Sequence, residues 1–310
     1  MAAVDVAGLE VATPSAVSRR ASAGFWSDAF WRVRRDPTTV AAFFVLVFIA
    51  LLAAGADLLS ENFFHWSFSK QDILSSYRAP TLDDPAFWLG SDQLGRSQIV
   101  RVLYAGRISL FIGTFAAFVS LLVGVSLGIS AGYFRGWWDD LAVWLVTTLN
   151  SIPTLFLLLI IGFLFRFDPL PLAILIGFLG WTGICNLARG QTFAYREREF
   201  VVAARTIGAK PGRIMFRHLF PNIVPLLIVV AMIDVAGVIL LESGLSFLGF
   251  GVQPPNPSWG NMLTNAQLTF NRGPWLVYPP GIMIGITVLC LYVIGDGLRD
   301  ALDPRLRGQS

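Results

Sequence analysis

Lysine is nearly missing from this 310-residue sequence: Lys70 and Lys210 are the only two among 23 basic residues. That bias reads as the arginine preference of a GC-rich genome and assigns no function. Cysteine is equally scarce. Cys185 and Cys290 both sit inside apolar runs, which excludes a disulfide framework and leaves two inert, buried thiols. The only histidines are His65 and His218. Charged residues make up 14% of the chain, and the net charge of +3 is too small to indicate nucleic acid. No G-x-x-x-x-G-K-[ST] stretch occurs, so the chain cannot cradle ATP phosphates by the P-loop mechanism.

What the sequence has in excess is apolar surface. Hydrophobic residues are 55% of the total, and the mean hydropathy is +0.64. A water-soluble domain of this length could not bury so much, so the bilayer must solvate most of it. Six apolar runs are long enough to cross a hydrocarbon core of about 30 Å. They fall at 38–59, 108–133, 140–165, 170–189, 222–242 and 278–298. The first ends in Ala53-Ala54-Gly55-Ala56, which looks like a signal cleavage site. The 37 residues before it and the length of the run argue for an uncleaved span.

Orientation follows from the arginines and lysines. With both termini cytoplasmic, that side holds sixteen of them and the other side seven. His65 and His218 then fall on opposite sides, which excludes a shared His metal site. The expected organisation is a cytoplasmic tail and interfacial helix (1–37), a first span (38–59), an extracytoplasmic loop (60–107), a five-helix core (108–298) and a cytoplasmic tail (299–310). Residues 1–23 lack a clear period and are expected to be disordered. FWSDAFWRVRRDP, Phe25 to Pro37, mixes aromatics with arginine as interfacial helices do. In the second span Gly124, Gly128 and Gly132 give one helix face without side chains, where another helix can approach closely.

Between the fourth and fifth runs lies EREFVVAARTIGAKPGRIMFRHLFPN, Glu197 to Asn222. Phe200, Val201, Ala204 and Ile207 share one helix face by spacing. Gly208 suits a left-handed cap and Pro211 the first turn of a second helix, whose apolar side carries Ile214, Met215, Phe216 and Leu219. Two short helices joined by a tight corner can be a loop anchored by positive charge, or a docking element for a soluble partner.

VAARTIGAKPGRIMFRHLFP resembles the cytoplasmic EAA loop of ABC importer permeases, with Ala203, Ala204, Gly208 and Pro221 at the matching positions. Val202 stands where that family has Glu, leaving Glu199 and Arg205 as the nearest charges for an ATPase contact. LGSDQLGRSQIVRVLYAGRISL (Leu89 to Leu110), LSFLGFGVQPPNPSWGNML (Leu245 to Leu263) and GDGLRDALDPRLRG (Gly295 to Gly308) are similar to segments of dipeptide, oligopeptide and nickel permeases of the C type.

The resemblance implies an all-α integral membrane protein of the type I ABC importer permease fold, with six transmembrane helices and the EAA loop at 190–221. It implies a bacterial inner-membrane location, a second homologous permease, two ATP-binding cassette subunits and an extracytoplasmic substrate-binding protein. It implies no cofactor on this chain, ATP and Mg being held by the ATPases. The coupling residues would be Glu199, Phe200, Val201, Val202, Ala203, Ala204, Arg205, Gly208, Ala209, Lys210 and Arg213. The family carries dipeptides, longer peptides, nickel, glutathione or haem. With no His, Cys or Met cluster in the outer half, peptides are the expected cargo.

Candidate path residues come from polarity inside apolar runs. Asn150, Ser151 and Pro153 interrupt the third run and can kink it, either to line a path or for packing alone. Asp234 and Glu242 are carboxylates at membrane depth, where they must face protein or water. Each can pair with the partner permease or contact the cationic end of a passing peptide. An ion-coupled secondary transporter is the competing class, but no inverted repeat of broken helices is visible.

Overall fold

The computed structural model describes residues 25–264 and 270–302. The expected N-terminal tail to residue 24 and the last eight residues lie outside it. The described residues form helices joined by loops, with two isolated β-bridges, Ser91–Ser97 and Phe167–Val252. Helix α1 is Phe25–Arg35, α2 Pro37–Ala54 and α3 Ala56–Asn62; α4 is Gln98–Phe134 and α5 Trp137–Asn150. Then come α6 Thr154–Leu164, α7 Pro169–Arg196, α8 Glu199–Thr206 and α9 Pro211–Ile214. The last are α10 Phe220–Phe247, α11 Trp259–Met262 and α12 Tyr278–Leu302. Among the described residues, five helical stretches are long and apolar enough to cross a membrane, or six if α5 and α6 count as one bent span.

Local chemistry sets the boundaries. Asp36 caps α2 by accepting from the Thr38 and Thr39 amides, and Pro37 fills the first turn, where no N–H is needed. Ser97 caps α4 through the Val100 amide. Residues 98–107, expected in the outer loop, are therefore the first turns of a 37-residue helix. Arg101 and Arg107 dilute the hydropathy there but do not oppose helix formation, since arginine is a good helix former. The third run breaks at Ser151–Pro153, where α5 and α6 meet at 72°. Pro153 has no amide hydrogen to continue the ladder. The fifth run extends to Pro211–Phe247 because a π turn at Met215–Leu219 joins α9 to α10.

The centre of the bundle is the α4–α7 pair. A Cβ on Gly124 would lie 2.7 Å from the Trp181 carbonyl oxygen, on Gly128 2.5 Å from that of Cys185, and on Gly132 2.8 Å from Thr192 Cβ. Gly177 returns the contact against the Ala116 carbonyl. The glycine stripe thus packs backbone on backbone, which favours association in lipid, where helices gain no hydrophobic drive toward each other. Both cysteines are buried and unbridged. α10 packs on α4 and α12 on α10, with α2 against both α12 and α4. α2 turns Phe43, Phe44, Phe48 and Leu51 outward, as a lipid-facing helix does.

α1 packs at one end of the bundle, Ala29 meeting Val229 and Leu302. The same end carries the 197–219 connection and is rich in arginine; the opposite end carries the longer loops. There Trp259 is fully buried, donating its indole N–H to the Val102 carbonyl at 3.1 Å and its backbone N–H to Ser109 Oγ.

Candidate coupling loop and translocation surface

The connection from α7 to α10 is two short helices seated on the bundle. Val201 of α8, Ile214 of α9 and Leu219 are buried against Val125, Ile129, Ile184, Ala188 and Ile223, and Ala204 of α8 is buried as well. Between the helices, Gly208 has φ +83°, its amide donates to the Arg205 carbonyl, and the Ala209 amide donates to the Ala204 carbonyl, both at 3.0 Å. These two bonds form a Schellman corner, which satisfies the last carbonyls of α8 and turns the chain sharply. Lys210 then adopts an extended backbone and Pro211 opens α9.

The expected apolar faces are only half right. Phe200 is 40% exposed, Ile207 85% and Phe216 76%. α8 has only two turns, of which Val201 and Ala204 are buried, and Ile207 falls in the cap rather than on the face. The π turn rotates Phe216 away from the side shared by Ile214 and Leu219. The outward surface consequently combines Phe200, Val202, Ala203, Ile207 and Phe216 with Glu199, Arg205, Lys210 and Arg213, all exposed. Ala209 is half-buried beneath the corner. Below the loop, Arg189 of α7 makes a two-pronged ion pair with Asp139 of α5, and Arg196 donates to the Tyr133 carbonyl at 2.9 Å.

Beside this loop an apolar groove of about 480 Å³ runs between α4 and α10, lined by Phe118, Leu122, Ile129, Phe216, Val224 and Ile228 among others. Nothing in the sequence singled it out, because only the pairing of α4 with α10 creates it. One turn beyond Ala231, which also lines the groove, Asp234 continues the same stripe of α10. It is half-buried, and its Oδ2 has no hydrogen-bond partner among the described residues.

The other expected path residues lie elsewhere. Asn150 and Ser151 are exposed and border a separate recess between α5 and α7, with Thr147, Asn186 and Arg189. Asn150 Oδ1 accepts from Thr182 Oγ1 at 2.9 Å, and Ser151 Oγ donates back to the Thr147 carbonyl. Pro153, also exposed, sets the bend and starts α6. Glu242 departs furthest from expectation. Its side chain is 0% exposed, and Oε1 accepts from Ser246 Oγ at 2.6 Å and Ser258 Oγ at 2.8 Å. A carboxylate so enclosed presents nothing to a partner or a passing solute. It ties the 249–264 loop to α10.

Known proteins resemble more than nine-tenths of the chain. Residues 124–308 match the binding-protein-dependent transport system inner membrane component, and residues 24–80 match the N-terminal transmembrane domain of oligopeptide transport permease C. The oligopeptide transport system permease protein OppC of Haemophilus influenzae is 37% identical over 91% of this chain and 89% of its own. The dipeptide transport system permease protein DppC of Bacillus subtilis is 34% identical, covering 93% and 88%. The glutathione transport system permease protein GsiD of Pectobacterium atrosepticum is 32% identical, covering 91% and 92%. With its all-helical bundle of apolar helices, the chain belongs to the family of inner-membrane components of binding-protein-dependent transport systems, the permeases of ABC importers.

Proposed function

We propose that this chain is the peptide permease subunit of an ATP-driven importer, crossing the membrane six times with both termini cytoplasmic. The observation that carries the reading is the 197–219 connection. It is fixed to the bundle by Val201, Ile214 and Leu219, yet it presents an apolar and basic outer surface that the described residues leave uncovered. Such a surface suits the cleft of an ATPase. The sixteen-to-seven distribution of basic residues supports the cytoplasmic assignment of that end.

Two ATPases holding ATP and Mg would dock there, one on this chain and one on a second, homologous permease. Closure of the ATPases would move the loop as a rigid body and bias the bundle between inward- and outward-open states, by differential contact with each. The groove between α4 and α10 suits the face toward the second permease and the path. Asp234 at its head suits the α-amino group of a peptide, since an ionisable group there must find protein, water or cargo. A substrate-binding protein would deliver from the opposite end. Peptides are favoured as cargo because the relatives are named for oligopeptides, dipeptides and glutathione, itself a tripeptide.

The test is purification of the tagged chain from its native membranes in mild detergent, with mass spectrometry of what accompanies it and crosslinking from Ala203. P-loop ATPases and a second EAA-bearing permease are expected. Recovery of the chain alone, with no ATPase crosslink, would overturn the reading in favour of a secondary transporter with Asp234 as its coupling site.

A further inference from the structure

At the end opposite the coupling loop, a cavity of about 320 Å³ lies between the N-terminus of α4 and the 249–264 loop. It is lined by Asp92, Arg96, Gln98, Arg101, Gln253 and Asn256, among others. Two guanidinium groups share one carboxylate there. Asp92 Oδ2 accepts from Arg96 Nε at 2.6 Å, while Arg101 Nε stands 3.8 Å away. Asp92 Oδ1 is already taken by the backbone N–H groups of Leu94 and Arg96. Arg101 is only 7% exposed, and its Nη1 is buried with no hydrogen-bond partner among the described residues.

A buried guanidinium is ordinarily paired and hydrogen-bonded, because the alternative is costly desolvation. This one has an unused donor beside a cavity that carries one positive charge in excess. The N-terminal end of α4 at the same wall adds its dipole in the same sense. A single excess charge matches a carboxylate better than a dianionic phosphate, and guanidinium pairs well with carboxylate. Gln98 and Gln253 spend their NH₂ groups on the carbonyls of Leu276, Gly249 and Gly251, which leaves their amide oxygens as acceptors for peptide N–H groups. The volume is that of a small-solute pocket and not of a single-ion site.

We propose that this cavity is a carboxylate-binding site for the C-terminal end of a short peptide, with Arg101 as the binding residue and Asp92 holding it in place. The inference rests on the peptide-importer reading and adds a cargo contact outside the α4–α10 groove.

The test uses the assembled transporter in lipid nanodiscs without its substrate-binding protein. Binding of trialanine and of trialanine C-terminal amide is measured by calorimetry in wild type, Arg101→Gln and Arg101→Lys. The acid is expected to bind at least about tenfold more tightly than the amide, the scale of a charge-assisted hydrogen bond. Arg101→Gln should collapse that acid-to-amide ratio toward one while leaving amide affinity unchanged, and Arg101→Lys should restore part of it. A merely structural role would weaken both ligands together and overturn the proposal. So would equal affinity for acid and amide in wild type, or no binding of either. ATP-driven peptide uptake by the wild-type transporter with its binding protein tests the importer reading separately. If uptake holds while the ratio is one, only the cavity assignment falls.

Discussion

Substitution of Gly208 isolates the corner of the proposed coupling loop from everything else in the bundle. Gly208 has φ +83°, and a Cβ built on it would meet no atom within 4 Å. The cost of a side chain there is therefore backbone strain alone, about 1–2 kcal/mol for an ordinary L-residue in the left-handed region. Asparagine visits that region more readily and should cost less. Since about 1.4 kcal/mol is tenfold in an equilibrium, Gly208→Leu should open the corner roughly ten times more often. The two corner hydrogen bonds are then lost and α8 no longer moves as one body with α9. In proteoliposomes with the binding protein and ATPases, Gly208→Leu should insert normally and retain basal ATP hydrolysis. Peptide uptake should fall by the share of corners that the strain opens, at most about tenfold. Gly208→Asn should fall between it and wild type. Wild-type uptake by Gly208→Leu, or equal losses in the leucine and asparagine variants, would refute the reasoning.

Glu242→Ala should destabilise the protein in detergent by about 2–4 kcal/mol, since it leaves the buried hydroxyls of Ser246 and Ser258 without their acceptor and opens a void. Glu242→Gln keeps an acceptor and should stay near wild type; thermal unfolding of the two variants checks the difference. Gly128→Leu places its Cβ 2.5 Å from the Cys185 carbonyl oxygen, so α4 and α7 must separate. A loss of at least about 1–3 kcal/mol is expected, read as earlier unfolding and faster proteolysis, and an unchanged melting temperature would contradict the packing. The hydroxyls of Thr39 and then Thr38 hold the Asp36 carboxyl below its ordinary value of 3.8. A lowered carboxyl keeps the α2 cap formed above pH 3.8 and loses it as pH falls through the folded value. The ¹³C shift of that carboxyl should accordingly titrate below 3.8, and a midpoint above it would rule the cap out.

Much of the 197–219 connection was legible in local sequence. Gly208 followed at three residues by Pro211 specifies a cap and a restart from backbone geometry alone, and both stand in the structure as expected. The Gly124, Gly128 and Gly132 spacing likewise announced a close helix contact, because a side-chain-free face is a property of one helix. Which helix would fill it was not local information. Phe200, Ile207 and Phe216 stand exposed beside buried neighbours of the same spacing, because helical spacing says which residues share a face but not whether anything covers that face. In this two-turn helix and the π turn that follows, the described residues leave Ile207 and Phe216 largely uncovered.

The sequence by itself determined the solvent of this protein, the spacing of its apolar runs, the charge asymmetry between its two ends and the corner at Gly208. All of these depend on composition or on neighbours within a few residues. Only the tertiary structure decided the fates of the polar groups among those runs. Glu242 became a fully buried acceptor for two serines, while Asp234 Oδ2 and Arg101 Nη1 found no hydrogen-bond partner among the described residues. A carboxylate or guanidinium costs too much to bury alone, so its role is fixed by partners distant in sequence. Those partners come from the packing of helices, which no single segment encodes.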